Sequence, residues 1–139
     1  MPTIRIAIAE GEPLYRQCLA NLLATQPDFE VVGEVADGTA AVETVCLLRP
    51  DVVVLNRWMP RPDGSWPIRA IRRACPETQI LIVACFESDP SGLTQFEPGA
   101  GGCVSIDAAP DELFAAIRSL GRGQAYLPAT PGFRAMERL

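Results

Sequence analysis

The chain has 139 residues, 48% of them apolar, with a formal net charge of −5, which suits one domain with a single core. That acidic balance leaves no footprint for gripping nucleic acid, and no apolar run approaches the ~20 residues that span a bilayer. All 12 basic residues are arginines and histidine is absent, so imidazole chemistry, lysine-ammonium chemistry and histidine-dependent metal sites are excluded.

Strands and helices alternate along the chain. Ile4 to Ile8 reads as a first strand, entered directly from the start with no signal-peptide charge pattern, which points to a cytoplasmic protein. Pro13 opens a helix in which Leu14, Cys18 and Leu22 recur at helical spacing beside Tyr15, Leu19 and Leu23. Phe29 to Val35 is a second strand. Asp37-Gly38, ordinary turn chemistry, leads into a helix carrying Val42, Val45 and Cys46. After Pro50 comes Val52-Val53-Val54-Leu55, an apolar run suited to a strand buried on both faces of a parallel sheet, ending at Asn56. A third helix runs from about Gly64 to Ala74, with Ile68 and Ile71 inward and Arg69, Arg72 and Arg73 toward water.

Ile80 to Ala84 is another apolar strand. A helix is expected over 89–98, weakened by Pro90, Gly92 and Pro98. Gly102 to Ile106 forms a fifth strand. Pro110 starts the last helix, with Leu113, Ile117 and Leu120 on one stripe and Phe114 outward. Five strand–helix units argue for an α/β fold, a parallel sheet with helices on both faces.

The five cysteines are odd in number and never spaced Cys-x-x-Cys. They read as small buried hydrophobes in a reducing compartment rather than as redox or metal sites. Cys85 stands apart because it follows a strand end near the candidate site.

Short motifs then carry a resemblance. They are Ile8-Ala9-Glu10-Gly11-Glu12-Pro13, Val31-Val32-Gly33-Glu34, Met59-Pro60-x-x-Asp63-Gly64, Gly99-Ala100-Gly101-Gly102, Pro110-Asp111-Glu112-Leu113 and Gly123-x-x-Tyr126-Leu127. In this order and spacing they resemble the response-regulator receivers of LuxR-type (NarL-like) transcriptional regulators, over residues 3 to about 127. The resemblance implies the flavodoxin-like (CheY-like) (βα)5 fold, a doubly wound parallel sheet of order 2-1-3-4-5. It divides the chain into a receiver domain, 1–122, and a C-terminal linker or tail, 123–139.

It also implies a site, and here the sequence departs from the pattern. The acidic pair that holds Mg²⁺ in receivers matches Glu10 and Gly11, so one carboxylate remains. The phosphorylated Asp matches Asn56, whose amide is a poor nucleophile without charge. The hydroxyl residue that bonds the phosphoryl group matches Ala84, and the Lys that neutralises it matches Ile106. A phosphoryl group brings about −1.5 to −2 charge, and burying it beside Ala84 and Ile106 costs of the order of several kcal/mol.

The expected function is therefore an atypical, phosphorylation-independent pseudo-receiver. It would be a regulatory dimerisation and protein-interaction module in two-component-type signalling and transcription control. Its partner would be a second copy, through the first and last helices or the 89–120 face, or another signalling protein. DNA contact would require a helix-turn-helix domain that this chain does not include; the chain reads either as part of a longer regulator or as a stand-alone domain. No cofactor is expected, and Glu10 is the remaining candidate metal ligand. Glu10 and Glu12 read as exposed, solvated carboxylates. No motif pairs a nucleophile with a base, so no enzyme is expected. The alternative is a small-molecule sensor, with Ala84, Cys85, Ile106, Trp58 and Trp66 lining an apolar crevice in place of the phosphate pocket. Arg57 and Arg61 share the loop with the tryptophans and complete a rim for a ligand or partner.

Overall fold

The computed structural model describes residues 2–56, 67–84 and 99–126. The strands are β1 (Ile4–Ala9), β2 (Phe29–Val35), β3 (Val52–Asn56), β4 (Gln79–Ala84) and β5 (Gly102–Ser105). The helices are α1 (Pro13–Ala24), α2 (Gly38–Leu48), α3 (Ile68–Ala74) and α4 (Pro110–Gly121). All strand pairs are parallel, in the order β2-β1-β3-β4-β5. This is the expected doubly wound order. The expected helix over 89–98 lies outside the described residues, and β5 stops one residue short of Ile106.

Successive side chains of a strand point to opposite faces, and the two cores follow that alternation. Ile6, Ile8, Val52, Val54, Leu81 and Val83 pack with Leu19 and Leu23 of α1 and with Leu113, Ile117 and Leu120 of α4. Ala7, Ala9, Val53, Leu55, Ile80 and Ile82 pack with Ala41 and Val45 of α2 and with Ile68 and Ile71 of α3. The middle strands are thus covered on both sides, which is why β3 is apolar without alternation.

Local chemistry sets the helix starts. Pro13 and Pro110 occupy the first turns of α1 and α4, where no intrahelical N–H donor is needed. The Asp37 carboxylate caps α2 by accepting from the Ala40 amide at 2.8 Å, and Asp111 and Glu112 place negative charge at the start of α4. After α4 the chain returns to the open edge of β5. The Tyr126 amide donates to the Gly101 carbonyl at 3.0 Å, and the Cys103 amide donates to the Tyr126 carbonyl at 3.2 Å. A Cβ at Gly102 would lie 2.7 Å from that Tyr126 oxygen, so the close approach requires glycine. Fold contacts therefore continue past residue 122.

Three expectations about side chains are corrected. Phe114 is buried at 7% exposure, edge-on to Phe29 with ring centroids 6.0 Å apart. The α4 stripe is wide enough to take it into the core. Leu14 and Cys18 on α1 are exposed, because Tyr15, Leu19 and Leu23 form the stripe turned to the sheet. Cys46 on α2 is exposed as well; Cys75 and Cys103 are the buried cysteines among the described residues.

Candidate functional site at the carboxyl end of the sheet

β1 and β3 pair so that Ala9 lies beside Leu55, and the next residue of each is Glu10 and Asn56. Asn56 pairs in turn with Val83, and Ala84 pairs with Ser105. The Ile106 amide donates to the Ala84 carbonyl at 2.8 Å. Parallel register alone therefore brings Glu10, Asn56, Ala84 and Ile106 to one end of the sheet, where open α/β sheets place their sites. The rim residues Arg57, Trp58, Arg61, Trp66 and Cys85 lie outside the described residues.

Glu10 is 2% exposed and Asn56 is 9% exposed, which corrects the expectation of a solvated carboxylate at position 10. Burial is tolerated because its oxygens have partners. Oε1 accepts from the Glu12 amide at 2.9 Å, and Oε2 accepts from Nδ2 of Asn56. A carboxylate only accepts, so the Asn56 amide must turn its NH2 toward it. The Arg16 guanidinium, the one charged group on α1, donates from Nη1 to the Glu10 carbonyl at 2.7 Å. Sequence reasoning did not anticipate this closure. The signal lay in the position of Glu10 directly after a fully apolar strand, next to the end of the central one.

Ala84 is buried and Ile106 is 38% exposed. The Ser105 hydroxyl is turned to the Asp107 carboxylate. Burial first, and the Glu10 carboxylate second, push the Tyr15 phenol above its ordinary pKa. Beside the site, on the α1 and α4 face of the sheet, a cavity of about 210 Å³ opens. Tyr15, Cys18 and Leu22 form one wall and Ile106, Pro110 and Leu113 the other.

A parallel (βα) sheet of order 2-1-3-4-5, with its singular polar residues gathered at the carboxyl end of β1 and β3, defines a receiver-type domain. The chain belongs to the response regulator receiver domain family, whose profile matches residues 6–118. Among its relatives is the transcriptional regulatory protein YxjL of Bacillus subtilis (strain 168), 34% identical over 122 residues, 88% of this chain and 56% of that protein. The oxygen regulatory protein NreC of Staphylococcus epidermidis is 31% identical over 125 residues, 89% of this chain and 57% of that protein.

Of the solved structures, a LuxR-family two-component response regulator from Aurantimonas sp. is 30% identical with a TM-score of 0.81, covering 98% of each chain. The signal receiver domain of NarL from Mycobacterium tuberculosis gives 28% and 0.79, covering 89% of this chain and 100% of that one. This chain spans little more than half the length of the curated regulators it matches. A protein-glutamate methylesterase of Nocardioides sp. is also 35% identical, but over 34% of its length. The chain is thus a receiver domain of the two-component response-regulator type, related to LuxR/NarL-type transcriptional regulators.

Receivers of this family imply Mg²⁺, a cation that demands near-octahedral oxygen ligands, typically with one or two carboxylates. The described residues do not fit it. Glu10 supplies one carboxylate whose oxygens are engaged, Gly11 supplies no side chain, and no group of three or more acidic, Cys or His residues comes together among the described residues.

Proposed function

We propose that this receiver works without phosphorylation, as a regulatory dimerisation and protein-interaction module in transcription control. The observation that carries the reading is the buried Glu10–Asn56 pair. Where a receiver needs a nucleophilic oxygen beside a metal, this chain has an amide whose NH2 donates to the remaining carboxylate. Ala84 and Ile106 add neither the hydroxyl nor the cation that a phosphoryl group requires. In this reading the domain is cytoplasmic, takes no Mg²⁺, catalyses nothing and passes its signal through contacts. DNA would be reached only through a separate helix-turn-helix domain. A sensor of small apolar molecules is the second reading, favoured by the cavity that Ile106 borders.

The test is an amide NMR titration with beryllofluoride and MgCl2. Spectra unchanged at the amides of Glu10, Asn56 and Ile106 are expected. Saturable shifts there, with the slow exchange of a bound phosphoryl mimic, would overturn the reading.

A further inference from the structure

Protein interiors hold few voids larger than a water molecule, yet about 210 Å³ stands open between α1 and the turn from β5 to α4. Its floor belongs to the core: Leu19, Val83, Val104 and Leu113 are all buried. Small side chains at Cys18, Ser105 and Ala108 leave the room. An apolar cavity of about 150 Å³ already admits benzene, so this one suits a single ring with a short substituent. None of the residues lining it is charged. Arg16, the charged residue of α1, is not among them; its guanidinium donates to the Glu10 carbonyl. A charged ligand would lose its hydration there without gaining a partner from the lining. Of the two hydroxyls in the lining, that of Ser105 is turned to Asp107. That of Tyr15 has no hydrogen-bond partner among the described residues. Burial and the Glu10 carboxylate keep this phenol protonated, so it is a donor in want of an acceptor.

Two walls of the cavity also hold the chain where it leaves the sheet. β5 lends Val104 and Ser105 to the cavity, and its Cys103 amide donates to the Tyr126 carbonyl at 3.2 Å. α4 lends Pro110 and Leu113, and its Glu112 carboxylate accepts from the Tyr126 hydroxyl at 3.3 Å. Between them Gly123, at φ 78°, turns the chain back from α4 toward β5.

We propose that this cavity binds an uncharged molecule about the size of one ring, bearing a hydrogen-bond acceptor for Tyr15, and that its occupancy steadies the strap of residues 123–126 on β5. This rests on the sensor reading and names the ligand class and the element that responds. A ligand seated between β5 and α4 binds best when both are in their packed positions, and those positions are the ones that hold Tyr126. Binding therefore shifts the strap toward its docked state by mass action.

The test uses the full chain, with acetophenone as the probe and benzoate, similar in size but charged, as its control. In amide NMR, acetophenone should shift Leu19, Val104 and Ile106 saturably, with a dissociation constant of about 1 mM or tighter. Benzoate should bind about tenfold more weakly or not at all. Cys18→Trp, made at an exposed position, fills the mouth and should weaken acetophenone about tenfold or more, while Cys46→Trp, exposed on α2 across the sheet, leaves it unchanged. Tyr15→Phe should weaken acetophenone several-fold and leave ethylbenzene, which lacks the acceptor, as before. At saturation the Tyr126 and Cys103 amides should exchange with solvent several-fold more slowly. No saturable shift, equal binding of benzoate, shifts that survive both Cys18→Trp and Tyr15→Phe, or unchanged exchange at Tyr126 would each overturn the proposal. Shifts that survive both variants leave a sensor with its site elsewhere. A chain that binds no member of a set of neutral and charged fragments removes the sensor reading as well.

Discussion

The two ends of the parallel sheet are built differently. At the amino end the polar groups are tied across elements. The Arg5 amide donates to Asp51, and its guanidinium donates to the Leu48 and Arg49 carbonyls that finish α2. The Thr78 hydroxyl, fully buried, donates to the Pro50 carbonyl at 2.7 Å. Arg118 grips Asp28 through two nitrogens at 2.9 Å and lies 4.9 Å over the Phe29 ring. At the carboxyl end the buried polar side chains among the described residues are Glu10 and Asn56, flanked by Ala84 and Ile106. The described sheet and the helices packed on it keep the receiver order, while the positions matched to its phosphate site carry Asn56, Ala84 and Ile106.

The largest expected effect comes from Asn56→Asp. It replaces a donor by a second carboxylate facing Glu10 in a buried place, removing a hydrogen bond and adding repulsion. A loss of about 3 kcal/mol at neutral pH is expected in urea denaturation, shrinking as acid protonates one of the pair. A variant as stable as wild type at pH 7 would mean that Glu10 and Asn56 are not locked together.

At the other end, Thr78→Val should cost about 2 kcal/mol, because the Pro50 carbonyl is left buried without its donor. Thermal unfolding reads this directly, and an unchanged midpoint would deny the amino end its tied character.

A smaller effect belongs to Asp28. The hydrogen bonds from Arg118 hold its carboxyl below the usual carboxylate pKa. The stability this supplies is therefore complete above the unfolded value of about 4 and is lost as pH falls through the lower folded value. Asp28→Asn should cost about 1 kcal/mol or less at neutral pH and flatten that part of the acid limb. An unaltered acid limb would show that the pair does not contribute.

The sequence carried the frame well because apolar runs and proline or glycine punctuation are local signals. Val52 to Leu55 could only be a strand covered on both faces, and Pro13 and Pro110 mark helix starts that the structure keeps. The strand order came from the resemblance, since periodicity carries no neighbour information. Side-chain facing was harder. On α1 two interleaved stripes were apolar, and only packing decides that Tyr15, Leu19 and Leu23 turn inward while Leu14 and Cys18 stay out. Phe114 looked outward because it adjoins the Leu113–Ile117–Leu120 stripe, yet Phe29 from another element makes room for it. Glu10 looked solvated because its partner, Asn56, is 46 residues away in sequence. A buried carboxylate is legible only once the donors around it are placed.

The central claim, that this receiver does not take phosphate, is tested most directly by intact-mass spectrometry after incubation with acetyl phosphate and MgCl2. Wild type should show no adduct. Asn56→Asp alone should react far more slowly than an intact receiver, because one missing preorganised donor already costs about 3–4 kcal/mol in the best-measured sites and several are missing here. The combined variant Gly11→Asp, Asn56→Asp, Ala84→Thr and Ile106→Lys should react faster than the single one. A stoichiometric phosphate adduct on wild type, or on Asn56→Asp at ordinary receiver rates, would contradict the account.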